Sequence, residues 1–167
     1  MNTQRIYSIL ANVVQDGDFL GVFPRDKIPT LTPHSLAVAN TDTHNQPGTH
    51  WIAIFTESDG DIEFFDSYGL PPSTYRFSQT FTSYNTTTLQ SLTSKTCGHH
   101  CIYYLFHRSL GFSLPQILRT YTSNPNTNDQ IVTHFIRKRL HPTPETIHSS
   151  LTSCQFTQSC IPRHSML

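Results

Sequence analysis

Charge is what this sequence has least of. Only 13% of its 167 residues are charged, and 11 Lys and Arg are matched by 11 Asp and Glu. A neutral chain carries no electrostatic footprint for a phosphate backbone, so nucleic acid is not the expected partner. Its one basic run, Arg137-Lys138-Arg139, falls in a helical pattern and reads as a solvated face. Cysteine is scarce too: there are four, and none precedes Cys97. No charged n-region, apolar h-region and cleavage site opens the chain, so these cysteines do not suggest a secreted disulfide framework; an intracellular, reducing compartment is expected. No apolar run approaches the roughly 20 residues of a membrane-spanning helix, and no membrane partner is expected. The length suits one domain with one core.

What the chain does have is alternation between short apolar segments and turn residues. In residues 3–15, Ile6, Ile9, Leu10, Val13 and Val14 recur at helical spacing, with Asp16-Gly17-Asp18 as a stop. Phe19 to Phe23 reads as a strand ending at Pro24, and residues 35–40 form the next apolar piece after a loop marked by Pro29 and Pro33. His50 to Phe55 is apolar on both faces and predicts a central strand. A turn at residues 57–61 and a return strand at residues 62–66 complete a hairpin. Antiparallel pairing then sets Asp66 opposite His50 or within two or three residues of it, no more than roughly 10 Å along the strand. Residues 73–83 are either a short helix or an irregular connection, and Tyr84 to Leu89 reads as a further strand. Helical patterns follow from Cys97 to about Arg108, from Ser113-Leu114-Pro115 with Ser113 or the preceding turn as cap, and from Asp129 to Leu140. The protein domain is expected over residues 1–144. Residues 145–167, rich in Ser, Thr and Gln with Cys154 and Cys160, are expected to form a peripheral or flexible tail.

The stretch Gln90 to Cys101, QSLTSKTCGHHC, carries the chemistry. A thiol at a helix N-terminus meets unpaired backbone N–H groups and the positive end of the macrodipole, which favour its thiolate. Gln90, upstream, is placed to return an amide N–H towards the same point and to share a developing oxyanion with the Cys97 backbone N–H. His50, Asp66, Gln90 and Cys97 thus offer a base, its orienter, an oxyanion donor and a nucleophile. Each has an ordinary explanation alone: a surface histidine, a turn-forming aspartate, a small core cysteine. Their conjunction is what points to catalysis. A zinc site from Cys97, His99, His100, Cys101 and His107 is the competing reading, but the spacing is not that of a CxxC knuckle and no second cluster at ligand spacing accompanies it.

These same segments, GTHWIAIF, FFDSYGLPP and LQSLTSKTCGHHC, resemble the adenovirus protease (adenain) family. They are most similar to the adenain-like proteases of Polinton or Maverick elements and adintovirus-type DNA viruses, and Phe19-Leu20-Gly21 with its following proline resembles the family's N-terminal segment. The resemblance covers roughly residues 1–120. It implies an α+β fold, a mixed central sheet flanked by helices with the cysteine at the N-terminus of a central helix. It also implies His50 as base, Asp66 as third member, Gln90 as oxyanion donor, Cys97 as nucleophile and Trp51 packed near the imidazole. The implied activity is a cysteine endopeptidase that cuts viral or mobile-element precursor (virion) proteins, near small residues such as Gly, without a metal. The implied partner is a protein or polyprotein, and the implied location is a host nucleus or virion.

Two departures qualify this. Adenovirus proteases take a peptide cofactor through a disulfide to a cysteine upstream of the glutamine, and here that region, around Gln79, has none. They also take DNA as a cofactor, which this neutral chain is not suited to hold. The activators left to consider are a non-covalent peptide or the chain's own tail, or none. The alternatives are a protease that deconjugates ubiquitin-like modifiers, which uses the same four residue types, and a catalytically idle binding protein of the same fold.

Overall fold

In a computed structural model, residues 1–14 and 19–140 are described. The helix stop expected at residues 16–18 and the tail expected at residues 145–167 lie outside them. Met1–Ile136 forms one compact unit, and the following unit contributes only the end of the last helix to the described residues.

Helix α1, Thr3–Val13, starts where Asn2 Oδ1 accepts the Arg5 N–H at 3.0 Å, pairing a backbone donor that has no partner inside the helix. Its Ile6, Ile9 and Leu10 are buried. Five strands follow: β1 Phe19–Pro24, β2 Leu36–Asn40, β3 Trp51–Thr56, β4 Ile62–Phe65 and β5 Ser83–Tyr84. They lie in the spatial order of their numbers, with β2, β3 and β4 antiparallel and the two edge pairings parallel. The fold is therefore α+β, built on a mixed sheet. β3 is its middle strand, as its two apolar faces predict.

One face, carrying Ala37, Ala39, Ile52, Ile54 and Phe64, is covered by Phe23 of β1 and by residues outside the regular elements, among them Leu31, Phe77 and Phe81. Phe64 meets Phe77 and Phe81 edge-on at 5.7 and 5.0 Å. The other face receives helix α2, Cys97–Ser109, where Tyr104 stacks on Phe65 at 4.4 Å and donates its hydroxyl to Glu63. Burying side chains of this size contributes about 1.5–3 kcal/mol each, enough to pin the helix to the sheet. α1 crosses the start of α2 at Gly98, where a Cβ would come within 3.1 Å of Ile6 Cδ1. The nucleophile candidate is thereby held at a helix end that is itself anchored.

Two expectations change. The strand expected over residues 84–89 is only Ser83–Tyr84, because the Asn85 side chain takes over the backbone pairing: its Oδ1 accepts the Asp66 N–H at 2.9 Å and its Nδ2 donates to the Asp66 carbonyl at 2.7 Å. The helix expected from Asp129 starts earlier, as α4 Pro125–Leu140. Asn124 Oδ1 accepts from the Asn126 N–H at 3.0 Å, and Pro125, with no N–H to leave unpaired, opens the first turn. The short helix α3, Leu114–Leu118, is capped at Ser113, one of the two positions expected. The undecided stretch after the Pro71-Pro72 pair is a 3₁₀ turn, Pro72–Tyr75, followed by irregular chain.

Candidate active site

The hairpin sets the first part of the site. Ala53 pairs with Phe65, so Asp66 follows β4 two residues in register from His50, which precedes β3. The imidazole Nε2 lies 2.6 Å from Asp66 Oδ1. Asp66 is fully buried and accepts only, so Nε2 carries the proton. The carboxylate is held by three further donors: the Tyr68 N–H to Oδ1 at 2.9 Å, and the Leu70 N–H and Tyr75 hydroxyl to Oδ2 at 3.2 and 2.8 Å. The backbone between them turns at Gly69, with φ at +70°; a Cβ there would sit 2.7 Å from the Thr87 backbone. The turn that wraps Asp66 therefore requires a residue with no side chain.

With Nε2 committed to Asp66, Nδ1 is the nitrogen left to face Cys97, whose interaction with the imidazole shifts both groups. Burial works against a charged ring at His50, but the hydrogen bonds to Asp66 and Cys97 and their negative charge push its pKa up to about 9. Burial likewise works against a thiolate at Cys97. The His50 hydrogen bond and charge, with the backbone N–H groups of Trp51 and Gly98, outweigh it and hold the thiol below its ordinary value. The opposite directions of the two shifts have one cause, each group favouring the charged form of the other. By contrast, Cys101, fully buried one turn on, has its thiol pushed well up by desolvation and is not available as a nucleophile.

Gln90 is buried beside this pair. Its Oε1 accepts the Ser67 hydroxyl at 2.7 Å, which fixes the amide orientation, and its Nε2 donates to the Ser94 carbonyl at 3.2 Å and towards the Tyr68 hydroxyl at 3.3 Å. Ser67 also accepts the Leu89 and Gln90 N–H groups on its carbonyl, joining the turn after β4 to the strand-like approach to Gln90. The four residues singled out in the sequence are thus gathered at one end of the sheet.

Trp51 differs from expectation. Its indole Nε1–H donates to the Met1 carbonyl at 3.2 Å, and the ring stacked on His50 is Tyr68, at 4.7 Å with planes 28° apart. Trp51 instead walls a groove of about 390 Å³ shared with Met1, Val22, Phe23, Asn40 and Asp42. Sequence reasoning missed Tyr68, Tyr75, Asn85 and Ser67. For Ser67, Tyr68 and Tyr75 the only signal was position within or just beyond the segment that supplies Asp66, and Asn85, 19 residues on from Asp66, had none. It also missed Asp129, whose contacts with the loop before Cys97 join residues 33 and 38 positions apart. Among the described residues, no group of three or more His, Cys, Asp or Glu is arranged to hold a metal ion, and no helix is long and apolar enough to cross a membrane.

No protein-family model matches the chain, and no curated protein does. Among solved structures, it is similar to the selenomethionine crystal structure of the ASFV pS273R protease, with 22% identity over 66% of this chain and 44% of that one and a TM-score of 0.42. The chain spans less than half the length of that protease.

Proposed function

We propose that the protein is a cysteine endopeptidase, with His50, Asp66, Gln90 and Cys97 as its catalytic residues. The observation that supports this most is the pairing at one sheet end of a thiol held below its ordinary pKa with an imidazole raised to about 9 and oriented by a buried carboxylate. In this reading the Cys97 thiolate attacks a peptide carbonyl carbon, forming a C–S bond. The electron pair moves to the oxygen, which takes N–H donors from Gln90 and the Cys97 backbone. Each such donor is typically worth about 3 kcal/mol at the transition state. The imidazolium gives its proton to the leaving amine as the C–N bond breaks. The neutral imidazole then draws a proton from water, which hydrolyses the thioester and frees the thiolate.

The groove beside Trp51 is the stretch where a peptide would lie. Its lining includes Met1, Phe23, Gly48 and Trp51, the residue that follows His50. The adenain resemblance makes precursor proteins of a virus or mobile element, cut near Gly, the proposed substrates. No bound metal is part of this mechanism. The protein is proposed to work without a covalent cofactor, either unaided or activated by a non-covalent peptide or by residues 145–167, which lie beyond the proposed domain at residues 1–144. Purified full-length protein is to be assayed on peptide libraries containing Gly-Gly, Gly-Ala and Gly-X, and on Gly-Gly-extended ubiquitin-like modifiers, with and without iodoacetamide. Iodoacetamide-sensitive cleavage inside peptides is expected. Cleavage confined to the modifier fusions would assign a deconjugating protease, and no cleavage by any route would favour an idle binding protein.

A further inference from the structure

The two proposed oxyanion donors sit at opposite ends of one loop, residues 91–96, none of which is helix or strand. Such a loop has many closed forms, and a displacement of about 1 Å between the Gln90 amide and the Cys97 N–H would uncouple them. Both ends nevertheless meet at a single carboxylate. Asp129, on α4, accepts at Oδ2 from the N–H of Ser91, the residue after Gln90, at 3.2 Å. At Oδ1 it accepts from the hydroxyl of Thr96, the residue before Cys97, at 2.6 Å. Oδ1 also takes the His100 Nε2–H at 2.9 Å, one turn into α2, and the Tyr121 hydroxyl, 3.3 Å from Nδ1, fixes that tautomer. The neighbouring Asn128 donates from Nδ2 to the carbonyl of Leu89, the residue before Gln90, at 3.1 Å.

α4 has apolar residues enough to dock on its own account, since Val132 and Ile136 are buried. A carboxylate that is 8% exposed adds nothing to such docking and costs desolvation, which its directed donors offset. What it does supply is direction, a fixed point to which the residues flanking both donors are tied.

We propose that Asp129 is a positioning residue for this reaction, setting the separation of the Gln90 amide and the Cys97 N–H through its bonds to Ser91 and Thr96. The proposal rests on the cysteine-protease reading. The test compares the full-length wild type with Cys97→Ala, Asp129→Asn and Thr96→Val, by turnover, by affinity for a peptide aldehyde and by iodoacetamide alkylation of Cys97. The hemithioacetal oxygen of a bound aldehyde occupies the oxyanion position, whereas alkylation needs only the thiolate. In Asp129→Asn, kcat is expected to fall about 10- to 100-fold with KM within about twofold, aldehyde affinity to fall in step, and the alkylation rate to stay within about twofold. Thr96→Val, which deletes one hydroxyl and keeps the shape, should show the same pattern at about 3- to 10-fold, and it decides the matter alone if Asp129→Asn does not fold. Unchanged aldehyde affinity in a folded variant, or alkylation lost in step with kcat, overturns the positioning role and leaves the protease reading standing. Turnover that persists in Cys97→Ala overturns both.

Discussion

Replacing Asp66 by Asn is the sharpest perturbation the geometry allows, because it removes a charge while keeping a similar shape. An Asn at this position can still accept the His50 Nε2–H and the Tyr68 N–H on Oδ1, so the imidazole tautomer survives. Its Nδ2 then faces the Leu70 N–H, leaving a buried donor unpaired at a cost of about 1–2 kcal/mol of stability, while the Tyr75 hydroxyl is free to turn and accept. The larger effect is electrostatic. Raising His50 from 6.5 to about 9 corresponds to roughly 3 kcal/mol in favour of the charged ring. Of the contributions that raise it, the hydrogen bond to Asp66 comes first and that to Cys97 second. A neighbouring opposite charge typically shifts a pKa by about 1–3 units, so losing it should lower kcat/KM at neutral pH at least about 10-fold. It should also move the alkaline limb of the pH–rate profile down from about 9 towards 6.5. The same linkage governs stability. The His50 contribution is fully present below its unfolded value of 6.5 and is lost as pH rises through about 9, so the wild type should lose stability in that window and Asp66→Asn should lose less. Initial rates on one peptide from pH 5 to 10, with denaturant titrations at pH 6 and 9.5, read both effects. An unmoved alkaline limb and an unchanged kcat/KM in a folded Asp66→Asn protein would refute the reasoning.

Gln90→Ala should lower kcat about 10²-fold with alkylation of Cys97 unaffected, as measured by paired turnover and iodoacetamide kinetics. Gly69→Ala forces a Cβ to within 2.7 Å of the Thr87 backbone at a positive φ, so thermal unfolding should show a loss of more than about 1 kcal/mol and activity should fall with the displaced Asp66 turn. Cys101→Ala should keep full turnover in steady-state assays, since that thiol is buried and protonated. Reducing agent should not lower activity, and removal of residues 145–167 distinguishes the tail as activator if turnover changes. Added DNA should give little stimulation for salt to abolish, measured by turnover across ionic strength.

The parts legible in the sequence are those governed by local spacing. Two apolar strands around a five-residue turn leave few registers, so the approach of Asp66 to His50 followed from counting, as did the opening of α2 at Cys97. What escaped depends on side chains replacing backbone. Asn85 satisfies the Asp66 backbone and thereby ends a strand that its threonine-rich neighbours would otherwise favour. Asn124 and Pro125 start α4 a turn before its apolar pattern begins, because a capping pair needs no hydrophobic residue. The Tyr68 stack on His50 and the Asp129 bonds to Ser91 and Thr96 have no period of their own; only the folded chain sets these residues beside one another. The family resemblance implies Trp51 packed near the imidazole, whereas its indole donates to the Met1 carbonyl and the ring stacked on His50 is Tyr68.

The central claim is that the Cys97 sulfur becomes acylated during turnover, and acid-quenched mass spectrometry of the enzyme with a cleaved peptide reads this directly. The account predicts a mass gain equal to the acyl half of the substrate, mapped to the segment containing Cys97, released by hydroxylamine and absent from Cys97→Ala. Equal turnover by wild type and Cys97→Ala, with no adduct on that segment, would contradict it.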